Sequence, residues 1–335
     1  MAMNRRIVLA SRPTGLPTPQ NFRLEEVPIP SAPDGSFTVR NHWLSLDPYM
    51  RGRMDAAKSY AKSVEIGEVM EGGTIGEVIE SRNDKFKVGE FVTGRIGWQE
   101  YGTSDGVGAS KVDASAAPLS AYLGVLGMPG VTAWVGLLDI GQPKAGETVV
   151  VSAASGAVGS VVGQIAKIHG ARAVGIAGGK AKCDYVVNEL GFDACVDYKA
   201  GALSDMLNAA CPKGIDVYFE NVGGAIMDTV LALMNPFSRM PVCGLISQYN
   251  AASADELHGI KNIRSVLTNR IRMQGFIVSD RMELWRPARA DLAKWLAERK
   301  LKYRESVVAG LANAPEALIG LLQGRNFGKQ LVKLI

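Results

Sequence analysis

The 335-residue sequence predicts an α/β protein of two domains, an irregular antiparallel β-barrel joined to a doubly wound parallel sheet. Three observations carry that expectation. The length exceeds what one ordinary core needs and suits two. Up to residue 127 the chain is rich in Pro, Gly and short β-type runs. From Glu147 onward, apolar strand-like runs alternate with helix-length segments, as a parallel sheet with helical crossovers requires.

In the first region, residues 36–42, 74–80 and 90–95 read as extended, with turn chemistry between them. In the second, strands are expected at 148–152, 173–177, 195–198, 216–220 and 240–245. A third texture begins near Trp295: 300–308 and 329–335 look extended and flank a helical stretch at 315–323. These segments are expected to return to the first domain. The predicted division is therefore 1–127 completed by 299–335, with 128–298 as the second domain. No repeat or long low-complexity tract is visible.

A charged fraction of 21% and an apolar fraction of 47% are those of a folded soluble chain. No apolar run is long enough to span a bilayer. The net charge of +4 comes from scattered Lys and Arg, so neither nucleic acid nor a membrane surface is an expected partner, whereas a small phosphate-bearing ligand is suited. Arg5 and Arg6 precede only the apolar run 7–10, broken by Ser11, Arg12 and Pro13 before a signal-peptide core can form; a cytoplasmic location is expected. The four cysteines, Cys183, Cys195, Cys211 and Cys243, lack CxxC spacing and read as reduced thiols.

The strongest local motif is Val149-Val150-Val151-Ser152-Ala153-Ala154-Ser155-Gly156-Ala157-Val158-Gly159, a buried strand turning through small residues into a helix that runs to His169. Small residues let a backbone approach a pyrophosphate, and the helix start offers N–H groups and positive dipole. An ordinary tight packing turn reads similarly in isolation; the strand-helix-strand context favours a dinucleotide loop with Gly156 to Gly159 under the pyrophosphate. The second strand ends at Gly175-Ile176-Ala177-Gly178-Gly179, without the Asp or Glu that would bind an NAD ribose. Lys180 and Lys182 follow at once. One lysine more commonly faces solvent, but with the acid missing, a cation here is expected to pair with the 2′-phosphate of NADP, worth about 1.5–3 kcal/mol or about tenfold to hundredfold in affinity.

Catalytic zinc needs Cys, His or carboxylate ligands, and the first domain has no cysteine and only His42, so no metal site is expected. His42, His169 and His258 lack ligand or nucleophile-base spacing and receive no role. Without a Lewis acid, an isolated carbonyl is hard to reduce. A conjugated double bond can instead take hydride at its β-carbon and leave an enolate held by hydrogen bonds. Alkene or quinone reduction is the chemistry that follows.

Leu44-Ser45-Leu46-Asp47-Pro48-Tyr49-Met50-Arg51, Ser155-Gly156-Ala157-Val158-Gly159-Ser160 and Ile215-Asp216-Val217-Tyr218-Phe219-Glu220-Asn221-Val222-Gly223-Gly224 occur in that order, followed by Cys243-Gly244-Leu245-Ile246-Ser247-Gln248-Tyr249-Asn250 and Gly328-Lys329. With these motifs the chain resembles the medium-chain dehydrogenase/reductase superfamily, and within it the zinc-independent branch of prostaglandin reductases, plant alkenal double-bond reductases and bacterial curcumin-type reductases. The resemblance implies a GroES-like barrel made by the N-terminal region and the tail, a central Rossmann domain, NADP(H) as cofactor, a small hydrophobic enal or enone as substrate, and a homodimer. Position by position it implies pyrophosphate contacts at Gly156, Ala157, Val158 and Gly159, and 2′-phosphate contacts at Lys182, preferred over Lys180, and Tyr198. It places the ribose and nicotinamide against Asn221, Cys243, Gly244, Leu245, Ile246, Ser247, Tyr249, the strand end Phe276, Ile277 and Val278, and Asn326. Tyr49 and Tyr249 are the implied candidates for the catalytic hydrogen-bond donor. Some relatives carry a Tyr where this chain has Thr268. A quinone reductase and a non-catalytic NADPH-binding protein are the rival readings. Loops 54–64 and 251–265 are expected to set specificity.

Overall fold

The computed structural model describes residues 3–335. They form two units: residues up to Gly124 together with Glu305–Ile335, and Val125–Arg304.

The first unit is built on a largely antiparallel sheet in the order Glu305–Ala309, Lys329–Lys333, Phe37–Ser45, Thr74–Ser81, Phe91–Gly94 and Ser110–Lys111, with Tyr101–Ser104 also paired to Phe37–Ser45. Met3–Leu9 and Phe22–Pro28 make a separate antiparallel pair. The extended stretch expected at 300–308 starts later, at Glu305, and pairs parallel with Lys329–Lys333. The tail thus completes this sheet. Beneath it Ile7, Leu9, Leu44, Leu46, Met50, Met54 and Trp98 form a buried cluster.

The second unit holds six parallel strands, β1 (Thr148–Ser152), β2 (Arg172–Ala177), β3 (Ala194–Asp197), β4 (Ile215–Phe219), β5 (Met234–Val242) and β6 (Arg272–Gly275). Their order is β3-β2-β1-β4-β5-β6. That is the doubly wound arrangement, whose strand order reverses between β1 and β4. Val149, Val150 and Val151 are fully buried. β-branched side chains suit a central parallel strand covered on both faces, and each such burial contributes about 1.5–3 kcal/mol. Helices α1 (Gly159–Ile168) and α2 (Lys180–Asn188) follow β1 and β2, and α3 (Gly224–Leu231) follows β4. Gly163 of α1 lies under the Phe192 ring: a Cβ there would stand 1.8 Å from it, so any side chain would have to displace that ring.

Several expected boundaries move, each for a local reason. β3 stops at Asp197, one residue short, because the Asp197 carboxylate accepts the N–H groups of Gly179 (2.8 Å) and Lys199 (3.0 Å) and turns the chain. Tyr198 therefore lies beyond the strand. β5 begins six residues earlier than expected, at Met234, and absorbs a register shift against β4 where Phe237 takes a left-handed φ of 62°. β6 ends at Gly275, so Phe276, Ile277 and Val278 are not a strand end as expected: Val278 opens a 3-10 turn whose first carbonyl accepts the Trp285 indole N–H at 3.1 Å. The cysteines are all free. Two of them nonetheless meet, with Cys183 and Cys195 sulfurs 3.0 Å apart between α2 and β3.

Candidate cofactor and active site

At the carboxyl end of β1 the chain folds tightly on itself. Ala153 adopts a left-handed φ of 51°. A Cβ on Gly159 would lie 2.4 Å from the Ala153 carbonyl oxygen, and one on Gly156 3.1 Å from it. Ser160 N–H closes on Gly156 O, and the turn before it presents N–H groups of the kind a helix start leaves without intrahelical acceptors. A side chain at Gly156 or Gly159 would crowd this cradle.

The corner beyond β2 gathers cations. Lys182 is half-buried; burial, then the charge of Lys199, pull its ammonium below the ordinary lysine value. Lys180 is exposed and pairs with Asp184 at 2.6 Å within its own helix. Tyr198 lies over Gly178, where a Cβ would come 2.9 Å from its hydroxyl. The nearby acid, Asp197, is occupied by the two backbone N–H groups that also hold it below the usual carboxylate range. Two adjacent lysines and a carboxylate already capped by backbone suit a bound phosphate group. Lys199 escaped the sequence reading because it follows a different strand from Lys182.

On the other side of the reversal, Asn221 N–H donates to Ser152 Oγ (2.8 Å) and Asn221 Nδ2 to Ser152 O (2.8 Å). The segment after β5 folds against this loop. Ser247 N–H and Oγ both donate to Val222 O, at 2.9 and 2.6 Å, and Ile246 N–H reaches Asn221 O. Tyr249 Oη accepts Leu245 N–H at 3.2 Å and stands 3.1 Å from where a Gly244 Cβ would be. Burial, and after it the charge of Glu220, push the Cys243 thiol up to about 12. Phe276 sets its ring edge-on to Phe219 at 6.2 Å. The structure thus assembles Asn221, Cys243, Gly244, Leu245, Ile246, Ser247 and Tyr249 into one hydrogen-bonded rim. Ser152 and Glu220, which tie it together, sit at strand ends 68 residues apart, and only the fold brings them into contact.

Tyr49 and Asn326 belong to the first unit. Asn326 Nδ2 donates to Gly328 O at 2.8 Å. Tyr49 follows the Asp47-Pro48 turn, where Asp47 accepts from Lys329 Nζ at 2.6 Å, and Lys329 also donates to Leu46 O at 2.8 Å. Ser45 Oγ donates to the other Asp47 oxygen. Burial raises the Tyr49 phenol above its ordinary value, and the charges of Asp47 and Glu71 add to that. Its hydroxyl therefore keeps its proton at neutral pH and can donate a hydrogen bond. Thr268, by contrast, spends its hydroxyl on Arg264 O at 3.2 Å.

The histidines are dispersed: His42 packs edge-on to Phe91, His169 edge-on to Trp295, and His258 sits 3.3 Å from Asp228. Among the described residues no three His, Cys, Asp or Glu side chains form a metal-holding group, and no helix is long and apolar enough to cross a membrane.

Residues 5–112 match the N-terminal domain of oxidoreductase family, and residues 157–296 match the family described as zinc-binding dehydrogenase. The chain is 49% identical to the NADPH-dependent curcumin reductase of Escherichia coli (strain K12), covering 99% of this chain and 97% of that one. It is 43% identical to the NADP(+)-dependent 2-alkenal reductase of Nicotiana tabacum, covering 98% and 97%. Its fold superimposes with a TM-score of 0.94 on the crystal structure of CurA in complex with NADPH from Vibrio vulnificus, at 51% identity and 99% coverage of both chains. With such identity along its whole length, on a doubly wound sheet joined to an antiparallel one, the chain belongs to the medium-chain dehydrogenase/reductase superfamily, in the zinc-independent branch of the curcumin, alkenal and prostaglandin reductases.

Proposed function

We propose that this protein reduces the carbon-carbon double bond of α,β-unsaturated aldehydes or ketones, using NADPH and adding hydride to the β-carbon. The observation that carries the cofactor assignment is the pairing of a backbone cradle at Gly156 and Gly159 with the Lys182 and Lys199 corner beyond β2. The substrate class is supported by the curcumin and alkenal reductases that the chain resembles.

On this reading NADPH supplies the hydride, and the protein supplies binding, orientation and polarisation. Gly156, Ala157, Val158 and Gly159 receive the pyrophosphate at the start of α1, while Lys182, assisted by Tyr198, pairs with the 2′-phosphate. Asn221, Cys243, Gly244, Leu245, Ile246, Ser247 and Tyr249 line the ribose and nicotinamide. Phe276, Ile277, Val278 and Asn326 complete that lining. The substrate oxygen needs a donor as negative charge moves onto it. Tyr49 and Tyr249 are the proposed donors, since Thr268 is committed to Arg264 O.

Residues 1–127 with 299–335 are proposed as the substrate domain and 128–298 as the cofactor domain, in a cytoplasmic homodimer. β6 supports the dimer: it is the last strand of its sheet, and Arg272, Gln274 and Gly275 on it are exposed. An exposed edge offers unpaired backbone groups to a second copy. Light scattering on the purified protein tests this, with twice the chain mass expected and a monomer contradicting it.

Loss of NADPH absorbance with a 2-alkenal, an aryl enone, a quinone and a saturated aldehyde, with NADH as control, tests the function. Saturated carbonyl products from the enal or enone, with NADPH preferred about tenfold to hundredfold, are expected. Turnover of the quinone alone would make the protein a quinone reductase, and binding without turnover would make it a binding protein.

A further inference from the structure

Glu220 lies where the strand order reverses, just past the end of β4, and is fully buried. Among the described residues no salt bridge reaches it. Its carboxyl instead collects neutral donors: Ser152 Oγ at 2.7 Å from the end of β1, Tyr218 Oη at 2.7 Å from within β4, and the backbone N–H groups of Val222 and Gly223 from the loop ahead of α3. Ser152 Oγ in turn accepts Asn221 N–H at 2.8 Å. The Glu220 carbonyl accepts the N–H groups of Cys243 (2.9 Å) and Gly244 (3.2 Å) beyond β5. One residue therefore joins the carboxyl ends of three adjacent strands.

In a doubly wound sheet a dinucleotide lies across this reversal, one mononucleotide on each half. The glycine cradle after β1 and the Lys182 corner after β2 mark the adenosine side. The loops after β4 and β5, both anchored on Glu220, then face the other half. We propose that Glu220 is a positioning residue that holds Asn221–Gly224 and Cys243–Ser247 in the shape that receives the nicotinamide half of NADPH. This role presupposes that NADPH binds along this edge. Both Glu220 carboxyl oxygens can accept whether or not the group is protonated, and four donors converge on them; a glutamine would replace one oxygen by an NH₂ group that accepts nothing and faces an N–H or O–H needing an acceptor. The Lys182 corner follows β2, two strands away from β4 in the sheet, so distortion at Glu220 is expected to spare the adenosine side.

Calorimetric titration of wild type and Glu220→Gln with NADPH and with adenosine 2′,5′-bisphosphate, which lacks the nicotinamide half, tests the proposal. Glu220→Gln is expected to weaken NADPH about tenfold while the bisphosphate binds as to wild type. Tyr218→Phe removes one donor with little change of shape and is expected to weaken NADPH about threefold, again sparing the bisphosphate; it carries the test alone if Glu220→Gln does not fold. Equal weakening of both ligands, or of neither, overturns the role of Glu220 while leaving the NADPH assignment standing. Failure of wild type to bind either ligand removes the assignment and the role together.

Discussion

The two units bury carboxyl groups in opposite ways. In the first, Asp47 meets Lys329, both nearly inaccessible, and each charge is answered by the other. In the second, Glu220 is equally buried but, among the described residues, is answered by hydroxyls and backbone N–H groups. The first arrangement ties a turn to the returning tail, since Lys329 also holds Leu46 O. The second ties three strand ends at the carboxyl edge of the parallel sheet. A charge pair needs its partner's charge and tolerates little else, whereas a carboxyl held by neutral donors depends on where those donors point.

Breaking the pair should have the largest effect. Lys329→Met strands a buried carboxylate and is expected to destabilise the protein by about 3–5 kcal/mol, much of it restored by adding Asp47→Leu; chemical denaturation measures both. The Lys182 and Lys199 corner supplies a third arrangement, like charges side by side. Lys182→Ala should cost about 1.5–3 kcal/mol of NADPH binding and leave NADH binding unchanged, as titration with each would show.

Glu220→Gln should lower stability by about 1–3 kcal/mol, and that loss should vary with pH. Burial holds the Glu220 carboxyl above its ordinary value despite the donors from Val222, Tyr218 and Ser152. Between the ordinary and the raised value the folded protein retains a proton that the unfolded chain has released, so the contribution of Glu220 is largest in acid and declines as pH rises through that window. The penalty of the glutamine should therefore shrink with rising pH, and denaturation curves across the window would reveal a flat difference if Glu220 titrates normally. The smallest effect belongs to Lys180→Ala, which loses one exposed pair with Asp184, about 0.3–0.5 kcal/mol, and leaves NADPH affinity untouched in the same titrations.

Regions of the second unit were unequally legible. The central strand was readable because Val149 to Val151 followed by small residues is a local pattern, and the strand-helix-strand context decides its meaning. Strand ends were less so: Tyr198 and Phe276 have strand-forming side chains and their N–H groups still reach Ala177 O and Val242 O, yet each lies one residue past its strand. Convergence was least visible. Nothing in twelve residues of separation announces the Cys183 and Cys195 contact, and Glu220 reads as one more strand residue until β1, β4 and β5 lie side by side. The loop of the candidate site is written in consecutive residues; Lys199, Ser152 and Glu220 enter it from separate strands.

The central claim is hydride addition to a conjugated carbon, and isotope position tests it most directly. Turnover of an aryl enone with NADPH carrying deuterium at the transferable C4 position, followed by NMR of the product, should place deuterium on the β-carbon of a saturated ketone. Deuterium on the carbonyl carbon of an unsaturated alcohol would contradict the account.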